Sequence, residues 1–380
     1  MRFEAPSWPP ECSEVRQAVI DALDSREWGR YHSTLCDHLQ SQLQSLFAVP
    51  EVRLCCSGTV ALEIALRAAK IGSGDEVILS AYDYPGNLRT VELLGAKPVL
   101  LDVSPGSLTF SSDALELAAE RSDSGSVSAV IVSHLFGEVV ETKKMRAICD
   151  RVGWTLIEDV CQSVGATHSS VVKPTQAVED PDQQEMVGTN GHLATLSFGG
   201  SKPLTAGAGG ALVNNERSLA ARLGSWLERP SDVYSLSPLQ AAVLGPQLEH
   251  LARMRARRNE NWKLFREQRL GSYPQWEWVV DQKPGRIANP YKISWLAQSA
   301  TQRARVIELA ETFGLPIGAG YRSFAKTSER RCRKITSCEH ARELGERLFV
   351  LDHRALLRDP AEIESLVRAF DSLYEASVSV

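Results

Sequence analysis

Between residues 51 and 214 the chain alternates short runs rich in Val, Ile and Leu with amphipathic stretches, and this rhythm restricts the fold more than any other feature. The apolar runs fall at residues 77–80, 98–103, 129–134, 155–159, 193–198 and 211–213, and helical spacing recurs at 60–69, 112–121 and 142–152. Strands of this length separated by single helices pair in parallel, because the crossover helix returns the chain to the same end of the sheet and covers one of its faces. The expectation is an α/β protein, with a mostly parallel sheet sandwiched between helices.

Beyond Val213 the texture changes. Residues 236–270 read as one long charged helix, followed by a strand near 291–297 and helices at 301–313, 339–348 and 360–374. The expected division is a large domain over residues 1–250, including N-terminal helices, and a small α+β domain over 251–380 reached through the long helix. The acidic, proline-interrupted stretch 178–185 breaks the strand–helix rhythm and reads as an exposed insertion.

A formal net charge of -5 argues against nucleic acid as the main partner. The first residues lack the apolar core of a secretory signal, and no apolar run is long enough to span a bilayer, so neither a membrane nor export is expected. The eight cysteines are scattered, none in a C-x-x-C pair, and read as free thiols in a reducing, cytoplasmic compartment with no metal site.

Four places carry chemistry. Ser57-Gly58-Thr59 opens a helix, where free backbone N–H groups and the helix dipole suit a phosphate; a plain N-cap is the alternative. Tyr82-Asp83-Tyr84 follows a strand, where an aromatic ring can stack on a heteroaromatic one or simply fill the core. Asp159 ends an apolar strand, with Gln162 three residues on and Glu158 alternating to the other face. His134, at the preceding strand end, could face the same site but reads first as a structural histidine. Lys202 follows the strand ending in Ser197-Phe198 and precedes Gly207-Ala208-Gly209-Gly210. A lysine at a strand end among glycines is poorly explained as surface charge, since burying an unpaired ammonium is costly. An amine able to form a Schiff base and an acid able to hold a pyridinium nitrogen are the two groups that pyridoxal phosphate (PLP) requires.

Taken in order, Ser57-Gly58-Thr59-Val60-Ala61-Leu62, Gly74-Asp75-Glu76-Val77-Ile78, Gly95-Ala96-Lys97-Pro98-Val99 with Asp102, His134-Leu135-Phe136-Gly137, the run from Ile157 through Asp159 and Gln162 to Ala166, Ser197-Phe198 with Lys202, and Leu239-Gln240-Ala241-Ala242 resemble the DegT/DnrJ/StrS family. These are PLP-dependent sugar aminotransferases of fold type I, and the resemblance runs from about residue 50 to 260. It implies a sheet of the seven-stranded type, with Lys202 as the Schiff-base lysine and proton shuttle. It also implies Asp159 on the pyridine nitrogen, Gln162 on the phenolic oxygen, Tyr84 stacked on the ring, and Gly58, Thr59 and Ser197 around the phosphate. A homodimer with the active site at the interface is implied as well. The expected reaction moves an amino group from an amino acid, glutamate or glutamine, to a keto-sugar or related keto or cyclitol metabolite in a biosynthetic pathway.

The chain departs from the family pattern at Ala208, where a glutamate is usual, and at Val233 and Ser235, where an asparagine reaching the partner's phosphate and an arginine are usual. Ser231 or Tyr234 are candidate replacements for that cross-subunit contact. The small-domain pattern is also altered around Asn289-Pro290-Tyr291-Lys292, which points to an unusual acceptor. Two rivals stay open. One is a PLP-dependent dehydratase or other non-transaminating enzyme, against which Lys202 speaks because family dehydratases carry histidine there. The other is a PLP-binding regulatory protein without turnover. The basic residues Arg322, Arg330, Arg331, Arg333 and Lys334 read as a solvated loop, and Arg253, Arg255, Arg257 and Arg258 as exposed charge on the long helix.

Overall fold

The apolar runs do form one sheet. The computed structural model describes residues 2–121, 126–169, 184–227, 233–269, 271–279 and 285–378. Its large sheet has eight strands, in the spatial order Glu51–Cys55, Gly210–Asn214, Leu193–Ser197, Thr155–Asp159, Val127–Ser133, Glu76–Ser80, Lys97–Leu101 and Arg333–Lys334. Five of the neighbouring pairs are parallel. Gly210–Asn214 runs antiparallel to both Leu193–Ser197 and Glu51–Cys55, so the sheet is mixed.

Both faces of the sheet are buried, which is why its strands read as continuous apolar runs. Val77 and Leu79 point into a core with the helix Gly58–Ala68, while Ile78 between them joins Val99, Met145 and Trp154 on the opposite face. A third core holds Leu39, Leu43 and Phe47 of the helix Thr34–Phe47 against Val160, Phe198 and Leu244.

The strand order places the site. From Glu76–Ser80 the chain builds outward to Lys97–Leu101, then crosses back to Val127–Ser133 and builds the other way. The carboxyl ends of Glu76–Ser80 and Val127–Ser133 therefore diverge at a switch point, the crevice where open α/β sheets bind ligands. Asp159 lies level with Ser133 on one side and Thr195 on the other. Because Gly210–Asn214 returns antiparallel, residues 198–209 stay at this same end and carry Lys202 with them.

The helix Pro238–Arg269 leads to an antiparallel four-stranded sheet, ordered Trp276–Trp278, Lys292–Ala297, Leu348–Asp352 and Ile317–Ala319. Its core is aromatic, with Trp295, Phe349 and Phe370 fully buried. A three-stranded sheet joins Arg286–Ile287, Thr167–Ser169 and Gln184–Met186. Most of the acidic stretch 178–185 lies outside the described residues; Gln184 and Glu185 begin the last of these strands.

Two charge expectations divide. Arg331 pairs with Glu92 on the helix Pro85–Leu93, and Arg333 pairs with Glu76 while forming the edge strand, so these members of the basic cluster tether the chain to the helix and the sheet. Arg258 corrects the expectation of exposed charge on the long helix: it is fully buried, donating to Asn289 Oδ1 at 2.9 Å beneath the Trp8 ring. Burial depresses its pKa to about 9, with Asp352 opposing. All eight cysteines are free thiols. Among the described residues no helix is long and apolar enough to cross a membrane.

Candidate active site

The helix Gly58–Ala68 starts directly on the strand ends. Ser57 is extended, and its Oγ accepts from Val60 N at 3.1 Å, which caps the helix and leaves the N–H groups just before it without an intrahelical acceptor. Two glycines make the approach possible. A methyl group on Gly58 would meet Ser197 Cβ at 2.7 Å and Cys161 Sγ at 2.9 Å, and one on Gly210 would meet the Ser57 carbonyl carbon at 2.4 Å. Thr59 is exposed on the first turn, and Ser197, half-buried at the end of its strand, lies against Gly58.

Asp159 is buried at the neighbouring strand end. Its Oδ1 accepts from Cys161 N at 3.0 Å and Thr195 Oγ1 at 3.5 Å, and its Oδ2 accepts from Asn87 Nδ2 at 2.9 Å. Glu158 points the other way. Burial alone would raise its pKa, yet hydrogen bonds from His134, Gly191 and Thr142 hold it below the ordinary carboxyl range. His134 accepts from Val140 N through Nδ1 and donates through Nε2 to Glu158, so it is the satisfied structural histidine expected. Gln162 is pinned: Oε1 accepts from Phe136 N at 3.1 Å, which turns its Nε2 toward Tyr321 Oη, 3.3 Å away.

Tyr84 caps the helix Pro85–Leu93, and its ring lies 5.7 Å from that of Tyr321 in an edge arrangement. It is 38% exposed, so part of its side chain is open to solvent. The backbone leaves room for this ring only because residue 86 is glycine, where a methyl group would meet Tyr84 Cε1 at 2.3 Å.

Lys202 is held by its loop. Its N–H donates to Gly199 O at 2.9 Å, and its Nζ lies 4.9 Å from the Tyr291 ring centroid, a cation–π distance. The carbonyls just before it are clamped from outside the loop: Trp8 Nε1 donates to Gly200 O at 3.0 Å, and His353 Nε2 to Ser201 O at 3.1 Å. Ser201 Oγ also meets Tyr291 Oη at 2.9 Å. The Cys161 thiol lies within the fields of both Asp159 and Lys202; burial first, then Asp159, push its pKa well up against the opposing lysine, so it stays protonated.

The structure thus brings Gly58, Thr59, Ser197, Asp159, Gln162, Tyr84 and Lys202 to one end of the sheet. An anionic group could sit on the helix start beside the Thr59 and Ser197 hydroxyls. A protonated ring nitrogen could meet Asp159, a phenolic oxygen could accept from Gln162, and a carbonyl could be reached by Lys202. Val233 and Ser235 are both exposed, Val233 at 82%, and Ser231 lies outside the described residues. Sequence reasoning did not single out Asn87, Tyr321, Trp8 or His353. The last two reach the site from 192 and 152 residues away along the chain, with no local pattern to mark them.

A mixed sheet flanked by helices, with a smaller antiparallel sheet after it, is the fold of the type I aminotransferases. The structure of 3-amino-5-hydroxybenzoic acid synthase matches it over 100% of both chains, with a TM-score of 0.84 at 21% identity. A protein described as a sugar aminotransferase from Streptococcus pneumoniae, in its PLP form, matches with a TM-score of 0.82 at 18% identity over 100% of this chain and 99% of that one. Residues 10–370 match the model of the DegT/DnrJ/EryC1/StrS aminotransferase family, and the chain belongs to that family. Relatives include L-glutamine:2-deoxy-scyllo-inosose aminotransferase of Micromonospora echinospora, 28% identical over 97% of this chain and 94% of the relative. GDP-perosamine synthase of Caulobacter vibrioides is 31% identical over 68% of each.

Proposed function

We propose that this aminotransferase binds PLP at the sheet end described above and transfers the amino group of glutamine or glutamate to a keto-sugar or keto-cyclitol. The observation that carries the reading is the convergence of Lys202 and Asp159, from two different strands, on the half-buried Cys161. The relatives' names support the substrate class, since they pair an L-glutamine donor with a cyclitol ketone in one case and end in an amino-sugar in the other.

In this reading the start of the helix Gly58–Ala68, with Thr59 and Ser197, holds the phosphate. Asp159 holds the ring nitrogen, Gln162 the phenolic oxygen, and Tyr84 covers one ring face. Bound there, PLP supplies an electron-accepting ring that takes up an amino group and gives it to a second carbonyl. Lys202 would anchor the cofactor through Nζ, and its free amine would take the proton from the donor's α-carbon and hand it on to the bound cofactor. The Tyr291 ring and the clamped loop limit the excursion of that side chain. Phe136, Gln162 and Asp159 are all buried and would keep water from a ring bound against them.

The same reading includes a homodimer. Tyr31 and Val233, 85% and 82% exposed, are the side chains that a second copy would cover. The test is a half-reaction. Protein loaded with PLP and mixed with L-glutamine or L-glutamate should lose its visible absorbance and release one equivalent of keto acid, and Lys202→Ala should do neither. Bound PLP that no amino donor converts in the unmodified protein would sink the reading.

A further inference from the structure

Asp83 is a buried carboxyl group to which the chemistry above gives no task. It is 1% exposed, in the crevice at the switch point of the sheet. Its Oδ1 accepts from Tyr84 N at 2.7 Å, and its Oδ2 accepts from Asn87 Nδ2 at 3.2 Å. The same Asn87 nitrogen donates to Asp159 Oδ2 at 2.9 Å and to Ser133 Oγ at 3.0 Å. Asn87 is itself 3% exposed, so its two N–H bonds serve three acceptors in a dry pocket. One amide therefore joins the carboxyl group proposed to hold the ring nitrogen to a second carboxyl group, and that second one also pins the backbone of the proposed stacking residue.

Two buried carboxyl groups on one amide nitrogen lie within the ~4–6 Å over which like charges oppose each other's ionisation. Burial, and then the charge of Asp159, push Asp83 up to about 7. Hydrogen bonds from Ser133, Asn87 and Tyr84 N oppose this shift without reversing it. On the Asp159 side stand Cys161, kept protonated, and Lys202, the cation facing it. On the Asp83 side stand Tyr82, which burial pushes far up, and beyond it Arg303. Tyr321 adds a second phenol, raised by burial and by its tyrosine neighbours and Asp159, while His134 is engaged by Glu158 on the far face.

We propose that Asp83 is a positioning residue that acts through Asn87: it fixes the orientation of Asp159 and shares one proton with it, so that the pair presents a single negative charge to the cofactor ring. A group serving only to fill space would need no carboxyl, and one serving only to cap Tyr84 N would need no link to Asp159. The inference rests on the reading that Asp159 faces the ring nitrogen.

The test compares the unmodified protein with Asp83→Asn and Asn87→Ser, each with and without PLP. Asp83→Asn keeps an acceptor for Tyr84 N but removes the shared proton; Asn87→Ser keeps both acids but cuts the link. The visible absorbance of the PLP-loaded unmodified protein should titrate near neutral pH, and the midpoint should move by a unit or more in Asp83→Asn. Asn87→Ser should bind PLP about tenfold more weakly, the loss expected when a hydrogen bond to a charged group goes. The protein without PLP gives an independent readout, because Asp83→Asn should gain thermal stability relative to the unmodified protein as pH rises from 4 to 7. An absorbance titration and a stability difference that are both flat across the variants would overturn the shared proton while leaving the cofactor reading intact. Loss of Lys202-dependent absorbance in the unmodified protein would overturn both. Should Asp83→Asn not fold, an absent neutral-pH titration in the unmodified protein decides against the proposal.

Discussion

The indole N–H of Trp8 donates to the carbonyl of Gly200 at 3.0 Å, two residues before Lys202 and 192 residues from its own place in the chain. The N-terminal segment therefore fastens the lysine-bearing loop from outside. The Trp8 ring also meets His353 edge-on at 4.5 Å, and His353 holds the next carbonyl of the same loop. Two donors on adjacent carbonyls leave the backbone before Lys202 little freedom to rotate.

Trp8→Phe keeps the ring contact and removes only the N–H. A single hydrogen bond contributes about 1 kcal/mol, so kcat should fall by up to about tenfold while Tm changes by only a few degrees. Steady-state kinetics beside a thermal melt check this. A large fall in Tm with unchanged kcat would mean that Trp8 serves folding and leaves the lysine alone.

His353 sets a pH dependence of stability. Burial, with Arg258 adding to it, lowers its pKa to about 3 in the folded chain, against an ordinary value of 6.5. The folded state binds the imidazole neutral, donating from Nε2 to Ser201 O, so its contribution is complete above pH 6.5 and is lost as pH falls toward 3. At pH 5 the loss comes to about 2 kcal/mol. Denaturant melts between pH 7 and 4.5 should show a steep decline in the unmodified protein and a shallower one in His353→Gln. Parallel declines would assign the acid sensitivity to other groups.

The large sheet was legible because its central strands are buried on both faces and so carry unbroken Val, Ile and Leu runs. Glu51–Cys55 was not, because it lies at the sheet edge and alternates in charge, with Glu51 and Arg53 paired on its exposed side. Lys202 and Asp159 stood out because each follows an apolar run at a strand end, and the Ser57–Thr59 turn because small residues open an apolar helix there. Asn87 did not, since its meaning lies in three oxygens contributed by residues 83, 133 and 159. Arg258 reads as one more charge on a charged helix, and its buried place beside Asn289 and the Trp8 ring is set by residues far along the chain. Local pattern found the groups that end strands and missed those that reach them from elsewhere.

Gly86 tests the place of the Tyr84 ring. A methyl group there would meet Tyr84 Cε1 at 2.3 Å, and the ring would have to swing away. Alanine is otherwise favourable in a helix, by about 1 kcal/mol over glycine. Gly86→Ala should therefore leave Tm unchanged or slightly raised while weakening PLP binding several-fold. Fluorescence titration with PLP measures the affinity, and unaltered binding would remove Tyr84 from the ring face.

Gly58 makes the stricter test, because the atom nearest it, Ser197 Cβ, cannot swing away. A methyl group on Gly58 would sit 2.7 Å from Ser197 Cβ and 2.9 Å from Cys161 Sγ, both on the strand ends that carry the site. Ser197 and Cys161 are fixed by the sheet and by the turn after Asp159, so relief must come from the helix start moving outward. That motion costs stability, about 1–3 kcal/mol for an overpacked core position, and it withdraws the first-turn N–H groups from the place where a phosphate would bind. Gly58→Ala should lower Tm and weaken both PLP and inorganic phosphate. Asn at position 57, a good helix cap that leaves Gly58 in place, should retain most of the phosphate affinity. Equal losses of phosphate binding in Gly58→Ala and Ser57→Asn would point to the cap hydroxyl, rather than the close seat of the helix on the sheet, as the feature that binds the anion.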